Sequence, residues 1–300
     1  MSNDDSLIAV DHLTKFYGHH RGVEDVSFAV SPGEVLGFLG PNGSGKTTVI
    51  RTLMGLIRAT HGDVRLFGRS TASDHRLRNR VGYVPGRLEL LPRMTVRRYL
   101  EHLAALRRRD LGTAIGSLAE RFTLDLDVTI SGLSKGNKQK VGVIQAVMHD
   151  PRVLILDEPT SGLDPIGQRQ FEDLIGEMRG RGTAVLLSSH VMSEVEEITD
   201  RIAILDHGRL ALQSSMSELR MRIERTLDFE FDTPVEPNEF SVVHGVVSAR
   251  AEGNHITCSV AGSEAPVLAK AVQFDVRAVT SHEPTLEEIF IAVTRGEHVV

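Results

Sequence analysis

The chain of 300 residues has no tryptophan and a single cysteine, Cys258. One thiol cannot close an internal disulfide, so the fold must be held by its core, and the composition suits a reducing compartment. Aromatic residues make up only 5% of the chain, which leaves the interior to aliphatic side chains. No uninterrupted apolar run approaches the roughly 18–20 residues that cross a bilayer, so no membrane span is expected. The opening Met1-Ser2-Asn3-Asp4-Asp5 is acidic and no apolar run follows it; the expectation is a cytoplasmic protein without a secretory leader. Positive charge is also scarce. With 34 basic against 40 acidic residues the formal net charge is −6, which argues against a general nucleic-acid binder, whose field must be positive. What remains, 41% hydrophobic and 25% charged residues, is the composition of an ordinary globular protein of about two domains.

Through the first two-thirds, short aliphatic runs alternate with segments of helical period. Strands are predicted at Leu7–Val10, Val26–Val30, Val35–Leu39, Val64–Phe67, Val81–Val84, Val153–Leu156, Ala184–Leu187 and Ile202–Leu205. Several are continuous runs, as expected of strands buried on both faces. Phe171, Leu174, Ile175 and Met178 fall at i, i+3, i+4 and i+7, and Val96, Leu100, Leu103 and Ala104 keep the same helical spacing, so each set forms one apolar stripe of a helix. The alternation predicts an α/β fold built on a mostly parallel sheet. About Arg87 to Met148 shows helical patterns only, and reads as a helical subdomain inserted into that core. The first domain is predicted over residues 1–219 and a small α+β domain over 220–300. In the latter, strands are expected at Leu227–Phe231, Phe240–Val243, Val246–Arg250, Ile256–Val260 and Phe274–Val279, with a hairpin turn at Glu252-Gly253-Asn254. Helices are expected at Ala265–Val272 and around Leu286, Ile289, Phe290 and Val293.

The strongest chemical signal is Gly40-Pro41-Asn42-Gly43-Ser44-Gly45-Lys46-Thr47, followed by Thr48. It fits G-x-x-x-x-G-K-[ST] and lies between a predicted strand and a helical run, the setting the pattern requires. Glycines let successive backbone amides turn inward around phosphate oxygens, and the helix after them points the positive end of its dipole at the same place. Lys46 is expected to reach the β- and γ-phosphates, and the Thr47 hydroxyl to bind Mg²⁺. A nucleoside triphosphate is the ligand this loop predicts. Val153–Leu156 runs into Asp157 and Glu158, which places Asp157 at a strand end as a direct or indirect Mg²⁺ carboxylate. Glu158, one residue on, is expected to point the other way and to activate an attacking water.

Beyond this loop the sequence closely resembles the ATP-binding subunit of a bacterial ABC transporter, over about Leu7 to Leu219. Leu133-Ser134-Lys135-Gly136-Asn137-Lys138-Gln139 is similar to the signature motif of that family. Asp157–Asp164 looks like its Walker B strand running into the D-loop, and Ser188-Ser189-His190 like its switch histidine. Tyr17 matches the aromatic that stacks on adenine. The resemblance implies a P-loop ATPase fold, with ATP and Mg²⁺ as cofactors and Glu158 and His190 at the hydrolytic centre. It also implies that Ser134, Lys135, Gly136 and Asn137 meet the nucleotide of a second copy, so that two chains form two composite sites across a two-fold interface. Asp164 would cross that interface; read locally, it caps a helix that begins at Pro165. The further partner implied is a separate transmembrane permease, with this chain peripheral on the inner face of the membrane.

Thr285–Phe290 resembles the tail of drug and antibiotic exporters, and cargo export is expected on that ground. The rival reading is a non-transport ABC ATPase acting on ribosomes or DNA; it calls for a second cassette or a long coiled-coil insertion, and the sequence has neither. Two departures from the family pattern stand out. The glutamine expected after Tyr83-Val84-Pro85 is replaced by Gly86, with Glu89 as a candidate substitute. Lys135 stands where glycine is commonest, either adding charge near nucleotide or facing solvent. The basic stretches Arg97-Arg98 and Arg107-Arg108-Arg109 read as a solvated helix face or as a contact with anionic lipid.

Overall fold

The continuous aliphatic runs form the middle of a parallel sheet. A computed structural model of the chain describes residues 5–189, 191–222, 225–282 and 285–294, and the chain divides into two units, Met1–Gln213 and Ser214–Val300. The first unit runs β1 (Ile8–Tyr17), β2 (His20–Val30), β3 (Val35–Leu39), α1 (Lys46–Leu53), β4 (His61–Leu66), β5 (Arg69–Ser70) and β6 (Val81–Val84). It continues through α2 (Val96–Leu106), α3 (Gly112–Arg121), α4 (Lys135–Val147), β7 (Val153–Asp157), α5 (Pro165–Gly180), β8 (Ala184–Ser188), α6 (Met192–Ile198), β9 (Arg201–Asp206) and β10 (Arg209–Ser215).

Six strands are ordered β10-β9-β3-β8-β7-β6, with β9, β3, β8, β7 and β6 parallel. Every residue of β3, β7 and β8 is buried, as strands covered on both faces require. In register, Phe38 pairs with Ser188 and Asp157 pairs with Ser188, so three carboxyl ends open on one edge. That is where an open α/β sheet places its ligands. β9 and β10 are linked only by His207 and Gly208, both at positive φ (43° and 80°), a two-residue hairpin turn.

Leu7–Val10, Val26–Val30 and Val64–Phe67 do not join that sheet. They lie in a separate antiparallel sheet ordered β2-β1-β4-β5. The reason is local: only two residues separate β1 from β2, too few for a crossover. β2 also alternates in burial along its second half, the mark of a strand covered on one face. Its Phe28 packs on Phe38 of β3 at 5.3 Å between ring centroids, and α1 fills the same core through Val49, Ile50 and Leu53.

The stretch expected to be helical holds α2, α3 and α4 and no regular strand, only a bridge between Thr95 and Thr129. Phe171, Leu174, Ile175 and Met178 are all buried on α5, as their spacing predicts. In the basic stretches Arg97, Arg98, Arg108 and Arg109 are exposed, as a solvated face predicts. Arg97 makes a two-pronged contact with Asp127 at 2.9 and 3.1 Å, and Arg109 donates to the His149 carbonyl at 2.7 Å.

The second unit contains α7 (Met216–Arg222), β11 (Arg225–Phe231), α8 (Asn238–Ser241), β12 (Val246–Glu252), β13 (His255–Val260), α9 (Ala265–Val272), β14 (Val276–His282) and α10 (Leu286–Thr294). Its strands are ordered β12-β13-β11-β14 and all pair antiparallel, so β11–α8–β12–β13–α9–β14 has the ferredoxin-like arrangement. The expected strand at Phe240–Val243 is instead the short helix α8. Pro237 leads into it with φ −61°, and the Ser241 hydroxyl donates back to the Pro237 carbonyl at 3.1 Å. A short apolar run does not reveal its period, and proline at a helix entrance decided it. Phe240 is wholly buried, 5.5 Å from the Phe229 ring and 5.9 Å from the Phe231 ring. β14 begins at Val276 rather than Phe274, after Asp275 at φ 53°. The hairpin turn falls at Gly253 and Asn254, with Gly253 at φ 61°. Cys258 sits in this core, where burial pushes its thiol up to about 11, well away from a reactive thiolate.

His149, 3% exposed, ties the end of the helical segment to β6. Its Nε2 lies 3.2 Å from the Val81 carbonyl, and burial, with help from Arg107, pushes its pKa down to about 4. The neutral ring is the native form, so folding keeps its full advantage above the ordinary histidine value of about 6.5. As pH falls from there toward 4 the unfolded chain takes up a proton that the folded chain refuses, and stability drops by about 2–3 kcal/mol. Denaturant unfolding of wild type and His149→Gln from pH 7 to pH 4 should show a steeper loss for the wild type.

Candidate functional site

The loop from Gly40 to Gly45 leaves the buried end of β3 and enters α1 at Lys46. Gly45 occupies the helix N-cap at φ 109°, a conformation that side chains rarely adopt. The loop closes on itself through Ser44 N to Pro41 O at 3.1 Å, and Thr48 N and Val49 N reach back to Gly45 O at 2.9 and 3.1 Å. Lys46 is buried and folds back over the loop, its Nζ donating to the Gly40 carbonyl at 2.5 Å and the Pro41 carbonyl at 3.2 Å. Burial lowers its pKa, and Glu158 and Asp157 counteract part of that. The Ser44 hydroxyl is buried without a hydrogen-bond partner. Such a group in a loop of this shape suits an oxyanion, which could accept from it.

Asp157, 4% exposed, faces this loop from the end of β7. The Ser188 hydroxyl donates to its Oδ1 at 2.5 Å, and the Thr47 hydroxyl lies 3.4 Å from its Oδ2. A hydroxyl and a carboxylate oxygen converging beside a phosphate cradle are the hard donors a Mg²⁺ ion takes. Tyr83, on the neighbouring strand β6, has its pKa raised by burial and by Asp157, which keeps the phenol neutral.

Glu158 does not point away from Asp157. It takes φ 53°, which ends the strand alternation, and its amide donates to the Ser188 carbonyl at 3.0 Å. Both acids therefore line one cleft of about 490 Å³ with Tyr17, residues 42–48 and Gly86. Tyr17 is 46% exposed at the end of β1, with the Lys15 ammonium 5.2 Å from its ring centroid. Sequence reasoning missed Arg21 and Gly22, which also line the cleft; the hairpin of β1 and β2 brings them there, and no local motif marks them. Arg21 donates to Glu24 at 2.9 Å.

Ser134, Lys135, Gly136 and Asn137 do not line this cleft. Ser134 caps α4, accepting from Asn137 N at 3.2 Å. Lys135 neither reaches the phosphate loop of its own chain nor hangs free: it donates to the Ser161 hydroxyl at 2.9 Å. Gln139, part of the same motif, is buried and donates to the carbonyls of Pro159 at 2.8 Å and Glu158 at 3.3 Å. It thereby fastens the backbone that carries Glu158, a role that only the packing of α4 reveals. Asp164 caps α5, accepting from Gly167 N at 2.7 Å, with Pro165 in the first turn. Glu89 does not take the place of the missing glutamine; it pairs with Arg87 at 3.3 Å, both side chains largely exposed. His190 lies outside the described residues.

The ABC transporter family pattern matches residues 23–161. The chain is 30% identical over 309 residues to the ABC transporter ATP-binding protein YdbJ of Bacillus subtilis, covering 98% of this chain and 99% of that one. It is also 30% identical over 300 residues to the bacitracin transport ATP-binding protein BcrA of Bacillus licheniformis, covering 97% and 98%. The chain belongs to the family of ABC transporter ATP-binding proteins. Among solved structures, an ATP binding subunit of an ABC transporter matches with a TM-score of 0.69 at 29% identity, over 72% of this chain and 92% of that one. Membership makes this an ATP-binding chain. Among the described residues no helix is long and apolar enough to cross a membrane.

Lys46→Ala removes an ammonium from the loop and should weaken ATP binding by about 100-fold or more. Calorimetry with ATP, set beside an unchanged thermal melt, measures it.

Proposed function

We propose that the chain hydrolyses ATP to power a membrane exporter, acting as one of two identical copies against a permease carried on a separate chain. The observation that carries this reading is the convergence of Lys46, Thr47, Asp157 and Glu158 on one cleft at the carboxyl edge of the parallel sheet. In this reading the loop amides and Lys46 hold the β- and γ-phosphates, and Tyr17 stacks on the adenine. Thr47 and Asp157 hold Mg²⁺, which when bound neutralises charge on the phosphate oxygens. Ser188 fixes the Asp157 carboxylate, so the ligand set is oriented before the nucleotide arrives.

Glu158 is the general base. Its carboxylate takes the proton of the water that attacks the γ-phosphorus, as the bond to the bridging oxygen breaks and ADP leaves. His190, two residues beyond Ser188, is assigned to the γ-phosphate. The signature residues serve a different pocket. Ser134 is exposed at the start of α4, and its position outside the cleft of its own chain supports a role against the nucleotide of a second copy. Each ATP would then be enclosed by the cradle of one chain and the α4 entrance of the other, with Asp164 at the interface. Bound ATP closes the pair and hydrolysis releases it.

Export is supported by the likeness to the Nod factor export ATP-binding protein I of Rhizobium etli, 30% identical over 303 residues that cover 97% of this chain and 95% of that one. The place of work would be the inner face of the cell membrane.

Two measurements test the reading. Glu158→Gln should bind Mg-ATP, turn over at least about 100-fold more slowly, and accumulate as a dimer in light scattering; a monomer at saturating Mg-ATP would sink it. Ser134→Arg mixed with Lys46→Ala should give at most one working site per mixed pair, read by titrating the ATPase rate against composition.

A further inference from the structure

Gly86 stands where the family pattern has glutamine, and the structure gives a reason other than simple loss. Its φ is not among the positive ones, so the backbone there would accept any residue. Space is what it lacks. A β-carbon on Gly86 would sit 2.9 Å from Asp157 Oδ2 and 3.1 Å from its Cγ. An approach below 3.0 Å is relieved cheaply only when the neighbour can swing aside, and Asp157 cannot. It is 4% exposed, held at Oδ1 by the Ser188 hydroxyl at 2.5 Å, and faced at Oδ2 by Thr47 at 3.4 Å. Moving the carboxylate would break the Ser188 bond and leave a buried charge short of a donor. The β-carbon would press on Oδ2, the oxygen on the Thr47 side, so the crowding falls on the edge of the carboxylate that faces the phosphate cradle.

We propose that Gly86 is a positioning residue for the divalent cation: its missing side chain leaves Asp157 Oδ2 free to meet the cation that accompanies ATP, and restoring the family glutamine weakens the site. This rests on reading Thr47 and Asp157 as the cation's ligands. Gly86 acts through Asp157.

The test is calorimetry of ATP binding to the full chain, in Mg²⁺ and in excess EDTA, for the wild type, Gly86→Ala, Gly86→Gln and Asp157→Asn. Gly116→Ala serves as control, because a β-carbon there meets nothing within 4 Å. The quantity read is the gain in affinity that Mg²⁺ confers. Gly86→Ala and Gly86→Gln should cut that gain by about 10- to 100-fold, the range expected for groups that orient a metal ligand, with affinity in EDTA unchanged and a melting temperature lowered by the strain on the Ser188 bond. Mn²⁺ titrated against the ATP complex and followed by electron paramagnetic resonance should report the same loss. An undiminished gain in Gly86→Ala, or a larger one in Gly86→Gln, overturns the proposal. So does an equal loss in Mg²⁺ and in EDTA, which would make Gly86 a residue of the fold alone. Asp157→Asn separates the two ideas: if it keeps the full gain, the assignment of the cation ligands fails; if it loses the gain while Gly86→Ala keeps it, only the role of Gly86 fails.

Discussion

A buried carboxylate at the end of a parallel strand organises the nucleotide end of this protein. Removing Asp157 from water costs several kcal/mol unless its oxygens are satisfied. The register of β7 against β8 satisfies one of them by bringing the Ser188 hydroxyl to Oδ1. The other oxygen looks across to Thr47 at the start of α1. The continuous burial of β3, β7 and β8 follows from the same arrangement: five parallel strands covered on both faces hold those ends in fixed register to within the length of a hydrogen bond.

Around that carboxylate the backbone departs from regular geometry where the chemistry needs it. Gly45 and Glu158 both sit at positive φ. In the glycine this costs little; in the glutamate it costs roughly 1–2 kcal/mol. The second case is the more informative. By breaking the strand's alternation it turns two consecutive acids into one cleft, and the bond from its amide to Ser188 together with the Gln139 amide holds the segment in that shape. α4 thus fixes the chain that carries Glu158 while presenting Ser134 outward at its own first turn.

The second unit is built on a different principle. Its antiparallel sheet is covered by α8 and α9, and its centre is a cluster of Phe229, Phe231 and Phe240. A chain poor in aromatics spends four of its 11 phenylalanines there, with Phe274 packed against the other three. A core this small gains most from large rings, each of which removes much apolar surface from water.

The sequence by itself determined what depends on neighbours in the chain. The phosphate loop, the buried runs of β3, β7 and β8, the apolar stripe of α5, the Asp164 cap and the turn at Gly253 all follow from spacing or from a residue's own conformational preference. Motif order alone points to the family. Tertiary structure decided what depends on residues far apart. Two of the predicted strands pair antiparallel in a second sheet because a two-residue link cannot cross over, and a third, distant in sequence, joins them. Phe240 became helical because Pro237 and the aromatic core outweighed its strand propensity. Glu158 joined Asp157 because its backbone turned, Arg21 reached the cleft because a hairpin carried it there, and Gly86 took on meaning only beside the Asp157 carboxylate. Local preferences are written residue by residue, whereas a clash, a shared cleft or a clamp exists only between segments that folding brings together.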